Sequence, residues 1–366
     1  MAASRIRVGI VGASTKGFAP ISHIPALRAL SDEFEIVAIS TTSQQSADAA
    51  ARHHGVPLAF ADAEALATHP EVDLVTVCVK APDHHEPVMA AIAAGKHVYC
   101  EWPLAHNTAV ATEMRDAAQA RGIRHAVGLQ GQMDPTVSYA RDLIRQGFIG
   151  RPLAASLIAN ASNWGSTLSG TYQADAANGA NLLTITGGHN ADLLCHMLGE
   201  FRELAGYVVS QRDVIPEQVS GRLIAKTSPD QLAISGLIGD AITVSLQIRG
   251  GVARGTKLLL EIHGASGDLV ITATERQSTQ RQDLLLHGAQ GETGPLTAMA
   301  VPESYRWVPA ATPRGTPYNI AQLYLRLAAA IRGRNVAYPD FAAGVVRHRM
   351  LDAMVCASQT GQKQLL

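Results

Sequence analysis

An apolar run, Ile6-Arg7-Val8-Gly9-Ile10-Val11, leads without interruption into Gly12-Ala13-Ser14-Thr15-Lys16-Gly17, and a helix-compatible segment follows at residues 22–30. Near-continuous Val and Ile mark a strand covered on both faces, as in a parallel sheet. Pro25 fits a helix only in its first turn. Strand, glycine bend and helix, in that order, form the context that turns a loose glycine pattern into a dinucleotide-binding site. In that reading Gly12 makes the tight turn and Gly17 lets the helix pack closely on the strand. The free N–H groups at the helix start then face a diphosphate, with Ser14, Thr15 and Lys16 beside it. Ser14 stands where the middle glycine of such loops is usual, so the diphosphate is held slightly differently. The same residues also suit a tight turn in an α/β protein that binds no nucleotide, and the stretch alone leaves both open.

The residues that follow alternate strand and helix. Strands are expected at 35–40, 72–79, 97–100 and 124–129, and helices at 46–54, 86–94 and 108–121, each helix closed by a glycine (Gly55, Gly95, Gly122). Such alternation gives a parallel sheet with helices on both faces, doubly wound through right-handed crossovers. Ligands bind such sheets at the carboxyl ends of the strands. Residues 1–129 are therefore expected to form a dinucleotide-binding Rossmann domain.

Past residue 130 the texture changes. A helix at 135–146 precedes strands at 154–159, 204–210, 231–236, 241–249, 257–263 and 268–272, polar at alternate positions and joined by glycine turns. This is the pattern of a mostly antiparallel sheet with one open face. A helix near 181–198 is inserted between them. Leu323, Leu327 and Ile331 form one apolar stripe at helical spacing, and Val346, Met350 and Met354 another. The polar run at 276–281 reads as an exposed loop or edge. Residues 130–366 are expected to form an α+β substrate and oligomerisation domain.

Length supports two domains: 366 residues exceed one average domain. A net charge of −1 lacks the basic surplus of a nucleic-acid or membrane-surface binder. No apolar run reaches the length of a membrane span. The chain enters a strand almost at its start, with no signal-peptide pattern, and Cys78, Cys100, Cys195 and Cys356 have no metal-ligand spacing. The expectation is a cytoplasmic protein without disulfides or a metal.

Several polar residues sit where chemistry is expected. At the end of the second strand, where an Asp or Glu usually meets a free ribose 2′-hydroxyl, the chain has Ser40-Thr41-Thr42-Ser43. Small hydroxyls accommodate a 2′-phosphate, with Lys16 as counter-charge, which favours NADP slightly over NAD; a plain polar loop admits either. At the end of the 72–79 strand come Lys80, Pro82, Asp83 and His84, beside the place of a nicotinamide. A desolvated Lys80 can transfer protons, whereas one reaching solvent binds at most a ribose hydroxyl. Asp83 suits a helix cap, with His84 packed on that helix or touching the cofactor. Glu101 can bind ribose, and Trp102 offers a flat apolar face to a ring. Pro103 suits a fixed, cis geometry. His189 and Asp192, at i and i+3, can form an acid–base pair, although buried His–Asp pairs are often structural. His196 reads as a non-catalytic residue.

The segments GIVGASTKG, CEWPL, LQGQMDPTVSYARDLIRQGFIGRP and GGHNADLL together resemble the glucose–fructose oxidoreductase/inositol dehydrogenase (Gfo/Idh/MocA) family along essentially the whole chain. The resemblance implies a Rossmann domain, a C-terminal domain with an open mixed sheet, NAD(P), a sugar-like or cyclitol-like substrate, and a homodimer or homotetramer through the open sheet face. The chain departs from the family at two places. The Glu-Lys-Pro motif reads Glu101-Trp102-Pro103, without the catalytic lysine, and Ile185 takes the place of the acid four residues before His189. Both departures, with EWPL, LQGQ and GANLLTITGGH, are similar to the branch that contains the fungal galactose-regulon repressor, which keeps the dinucleotide site and acts as a protein-binding regulator. Three functions follow. As an oxidoreductase, the chain would use His189 as the proton acceptor, helped by Lys80 and Asp192. Gln130, Asn160, Asn163, Trp164, Tyr172 and Asn178, with Trp102 and His189, would then hold the substrate. As a sensor it would bind cofactor without turnover. As a redox-neutral lyase or glycosidase it would recycle the cofactor.

Overall fold

The computed structural model describes residues 4–217, 220–273 and 283–366; the polar run at 276–281 lies outside them. The chain divides into two compact units, Met1–Met133 with Arg306–Val345, and Asp134–Tyr305 with Val346–Leu366. The segment 306–345, assigned by its sequence to the second domain, thus belongs with the first. In chain order the helices are α1 (His23–Ala29), α2 (Gln44–His54), α3 (Ala63–Thr68), α4 (His85–Ala93), α5 (Thr108–Arg121), α6 (Pro135–Arg145), α7 (Gly188–Leu198), α8 (Thr316–Ile331) and α9 (Phe341–Thr360).

The first unit contains strands β1 (Ile6–Val11), β2 (Phe34–Ser40), β3 (Leu58–Phe60), β4 (Leu74–Val77), β5 (His97–Cys100) and β6 (His125–Val127), in the sheet order β3-β2-β1-β4-β5-β6. Every neighbouring pair is parallel. The order reverses between β1 and β4, and there a doubly wound sheet opens its ligand crevice. Local chemistry sets the helix ends. Ser43, Asp62 and Asn107 accept backbone N–H groups at the starts of α2, α3 and α5. Left-handed Gly55 and Gly122 end α2 and α5. The strand β3 and the helix α3 were not anticipated. Three half-buried residues and a six-residue helix carry too little periodicity to read. Leu323, Tyr324 and Leu327 of α8 join the core of this unit with Ile10, Phe34, Leu74 and Tyr99.

The second unit contains β7 (Pro152–Ala161), β8 (Phe201–Val209), β9 (Val214–Pro216), β10 (Leu223–Ala225), β11 (Gln231–Ile238), β12 (Ile242–Gly250), β13 (Leu258–Gly264), β14 (Gly267–Ala273), β15 (Leu285–Gln290), β16 (Thr297–Ala298) and β17 (Gln364–Leu365). Apart from the small hairpin of β9 and β10, these form one sheet in the order β16-β15-β14-β13-β7-β12-β11-β8-β17. The pair β7–β12 is parallel and the other neighbours are antiparallel. Along β12, Val244, Leu246 and Ile248 are buried while Thr243 and Ser245 are exposed, the alternation of a sheet covered on one face. Asp134 starts α6 by accepting the N–H groups of Thr136 and Val137. The expected stripe on α9 is corrected at one position. Met350 and Met354 are buried, but Val346 is 42% exposed and Val345 is buried instead. No helix among the described residues is long and apolar enough to cross a membrane.

Candidate functional site

The bend after β1 tolerates no side chain at Gly12. Its φ is +88°, and a Cβ there would lie 2.5 Å from the Cys78 carbonyl oxygen and 2.8 Å from Val79 Cγ1. The Gly12 N–H donates to Ser40 O at 3.0 Å and that of Ala13 to the same oxygen at 3.3 Å. The bend is therefore wedged between the ends of β2 and β4, where the strand order reverses. A Cβ on Gly17 would sit 3.2 Å from Ser14 Oγ and 3.4 Å from Gly12 O. Gly17 thus folds the bend back on itself, where the sequence suggested packing of helix on strand. Helix α1 lies where expected, but its first residue, His23, is wholly buried. The exposed part of the bend is Ser14-Thr15-Lys16. A backbone cradle that a Cβ would fill, with an exposed polar tip, fits the diphosphate of a dinucleotide.

At the end of β2 the hydroxyls form a cluster. Thr41 Oγ1 is 2.6 Å and Ser43 Oγ 2.8 Å from Ser46 Oγ. Ser40 is buried and offers its carbonyl to the glycine bend.

After β4, Lys80 is exposed and Pro82 half-buried, so the desolvated lysine is corrected to one that reaches solvent. Asp83 ends the short turn Ala81–Asp83, and His84 precedes α4 without a side-chain cap; the expected Asp83 cap is not formed. His84 is buried, with Nε2 3.2 Å from Val79 O and Nδ1 3.2 Å from Leu104 O. Burial lowers its pKa, keeping the ring neutral, and a neutral ring carries one N–H. With that N–H on Nε2 toward Val79 O, Nδ1 can accept from the Cys100 thiol, 3.4 Å away and held protonated by burial. His84 thus ties the loop after β4 to the loop after β5.

The loop after β5 contains the cis Trp102–Pro103 peptide, in accord with the sequence reading. Trp102 is buried. Glu101 Oε1 lies 3.0 Å from His23 Nε2, His23 Nδ1 lies 2.8 Å from the Tyr324 hydroxyl, and that hydroxyl lies 2.8 Å from Thr76 Oγ1. His23, Thr76 and Tyr324 are wholly buried. A Cβ on Gly128 would come within 2.9 Å of Glu101 Oε1, so glycine at that position leaves room for the carboxylate. Sequence reasoning missed His23, Thr76 and Tyr324. The available signals were a histidine in an apolar helix and a threonine in a buried strand. Gln130 is also buried, and its Oε1 has no hydrogen-bond partner among the described residues.

In the second unit the candidate residues are His189 and Asp192 on α7, with Asn160 at the end of β7 and Asn163, Trp164, Tyr172 and Asn178 in the segment after it. Residues Leu182–Gly187 form a π-helix, whose start is fixed by Asn181 accepting from Leu183 and Thr184 N–H. Such wide turns are frequent at functional sites. His189 and Asp192 follow in α7, both buried. Asp192 Oδ1 is 3.4 Å from Arg347 Nε, and Arg347 also pairs with Glu200. The carboxylate therefore belongs to an ion pair that its spacing from His189 did not reveal. Trp164 is buried in a left-handed conformation, φ +67°, while the Asn163 carbonyl accepts from Gly251 N–H at 2.9 Å. Tyr172 is half-buried. The side-chain amides of Asn160 and Asn178 donate to Thr256 O and Tyr172 O, which engages one donor on each. His196 Nε2 is 3.0 Å from Arg141 Nη1. Burial, then Arg141 and Arg145, push its pKa down to about 3, so it serves Arg141 as an acceptor.

Residues 6–129 match the oxidoreductase family model with an NAD-binding Rossmann fold, and residues 135–273 match the model of the Gal80p C-terminal domain. The chain is 36% identical over 249 residues to the dehydrogenase aclE of Aspergillus oryzae, covering 64% of this chain and 67% of that protein. It is 30% identical over 289 residues to the galactose/lactose metabolism regulatory protein GAL80 of Saccharomyces cerevisiae, covering 73% of this chain and 66% of that protein, just under two thirds of its length. The fold is shared with levoglucosan dehydrogenase solved in complex with NADH and levoglucosan, with a TM-score of 0.84, 22% identity and 99% coverage of both chains. With a glycine bend at the crevice of a β3-β2-β1-β4-β5-β6 sheet and these relatives over both units, the chain belongs to the Gfo/Idh/MocA oxidoreductase family.

Proposed function

We propose that this protein is an NAD(P)-dependent oxidoreductase acting on a hydroxyl of a sugar-like or cyclitol-like molecule. The observation that carries the reading is Gly12, pressed against the end of β4 where any side chain would clash and next to the exposed Ser14-Thr15-Lys16 tip. The backbone of this bend would hold the diphosphate, Glu101 a ribose, and Thr41 with the neighbouring hydroxyls the adenosine ribose. Pro82 and Trp102 would flank the nicotinamide ring. With no carboxylate at residues 40–43 and Lys16 of the glycine bend as the counter-charge, NADP is the preferred form.

A nicotinamide, when bound, exchanges a hydride with the substrate carbon. The hydroxyl proton then needs an acceptor. Trp102 has no ionisable group, so His189 takes that role, and the exposed Lys80 reaches at most a ribose hydroxyl. Asp192, paired with Arg347, would act as an orienting residue. Gln130, Asn163, Trp164 and Tyr172 would bind substrate hydroxyls or stack on the ring. The names of aclE, a dehydrogenase, and of the levoglucosan dehydrogenase complex with NADH support the class of reaction and of substrate. A homodimer or homotetramer through the open sheet face, and a cytoplasmic location, complete the proposal. The test is a panel of polyols and sugars with NAD and NADP, followed by both nicotinamide absorbance and product analysis. Reduced cofactor with one substrate class supports the reading, and unchanged substrates across the panel count against it.

A second reading, a cofactor-binding regulator without turnover, is favoured by one observation. Trp102 is buried, and the resemblance implies a catalytic lysine at this position in the family. It expects ordinary dinucleotide binding, no turnover on any substrate, and capture of a protein partner that depends on the dinucleotide.

A further inference from the structure

In the His23 tautomer with its hydrogen on Nε2, the contacts that start at Glu101 run in one direction. An ionised Glu101 only accepts, so His23 Nε2 carries the hydrogen across their 3.0 Å contact. In that tautomer Nδ1 presents a lone pair, and the Tyr324 hydroxyl, 2.8 Å away, donates to it. Thr76 Oγ1, 2.8 Å from the same hydroxyl, donates in turn to the Tyr324 oxygen. Each donor along these contacts meets one acceptor, so His23, Tyr324 and Thr76 are paired in the core. The Tyr99 ring meets the His23 ring edge-on, with centroids 5.0 Å apart, and fixes its plane. Burial raises the pKa of Tyr324, so its phenol remains a donor.

The chain is closed at its inner end. Thr76, Tyr324 and His23 are each 0% exposed, so the contacts lead from Glu101 into the core and do not reach solvent. Such a path cannot carry a proton away; it can only hold the carboxylate in place. Glu101 itself follows β5, in the β4–β6 half of the sheet. In a doubly wound dinucleotide fold the β1–β3 half takes the adenosine end, which leaves the β4–β6 half to the nicotinamide ribose. His23 occupies Oε1 of Glu101, leaving Oε2 to accept from a ribose hydroxyl.

We propose that His23 is a positioning residue for Glu101, and that Tyr324 and Thr76 fix the His23 tautomer that orients the carboxylate toward the nicotinamide ribose. The inference rests on the reading that this site binds a nicotinamide dinucleotide. Its test is calorimetric titration of the full chain with NADPH, NADH and ADP, with thermal unfolding as a control. In Tyr324→Phe the affinity for the better dinucleotide falls about tenfold, while the affinity for ADP, which lacks the nicotinamide ribose, stays unchanged. Thr76→Val gives a smaller loss in the same sense and serves where Tyr324→Phe lowers folding. His23→Leu loses most, and His23→Gln regains part because its amide N–H can replace Nε2–H. Folded variants that bind both ligands like the wild type, or that lose ADP and dinucleotide equally, overturn the inference alone. A wild-type protein that binds neither ligand overturns the cofactor reading and this inference with it.

Discussion

The Nε of Arg347 lies 3.4 Å from an Asp192 carboxylate oxygen, and both side chains are almost wholly excluded from solvent. Breaking such a buried pair from one side strands the remaining charge. Arg347→Met is therefore expected to destabilise the protein by about 3 kcal/mol, read by urea denaturation. A loss below about 1 kcal/mol, the size of a surface ion pair, would show that the pair contributes little. The same relationship bears on Asp192→Asn: activity lost in that variant has to be compared with its unfolding midpoint before it is assigned to catalysis.

Gly12→Ala places a methyl group against the Cys78 carbonyl at a φ of +88°. Strain of this kind costs about 1–3 kcal/mol, and relief requires the bend to move away from β4. The expected outcome is a lowered melting temperature with at least a tenfold weaker affinity for the dinucleotide. Gly55→Ala, at another left-handed glycine with open space around it, is expected to lower stability without altering that affinity. Equal dinucleotide affinities for Gly12→Ala and the wild type would show that the bend does not hold the ligand.

Stability should fall with acid below pH 6.5. Burial, with Arg141 and Arg145, depresses His196 to about 3 in the folded chain, against 6.5 for the free side chain. Between those values the unfolded chain binds the extra proton, so folding stability rises with pH across the window and is fully present above it. His54, His84, His97 and His125 are shifted in the same direction, with burial the largest cause for each. From pH 7 to pH 5 the His196 contribution is about 2 kcal/mol. Urea unfolding at both values should show a loss smaller by about that amount in His196→Gln. An identical acid limb in the variant would contradict the assignment.

What could be read from the sequence was what local residues determine. The strand β1 with its bend, β5 and the helix α5 were legible because apolar runs and a terminal glycine mark them. The cis bond before Pro103 and the open-faced sheet also followed from local pattern. What failed was long-range. Leu323 and Leu327 announced that α8 is buried, yet not that it packs in the first unit, and Tyr324 meets His23 from 301 residues away. The Asp192–Arg347 pair is likewise a contact between distant segments. Trp164 in a left-handed conformation carries no signal in residue type, since glycine or asparagine is the usual occupant.

The most direct test of the central claim, that the glycine bend after β1 holds the diphosphate of a nicotinamide dinucleotide, is calorimetric titration of the purified full chain with NADPH and NADH. The account predicts saturable one-site binding with a Kd of about micromolar order, tighter for NADPH, and its loss in Gly12→Val. The absence of saturable binding with both dinucleotides, or unchanged binding in Gly12→Val, would contradict it.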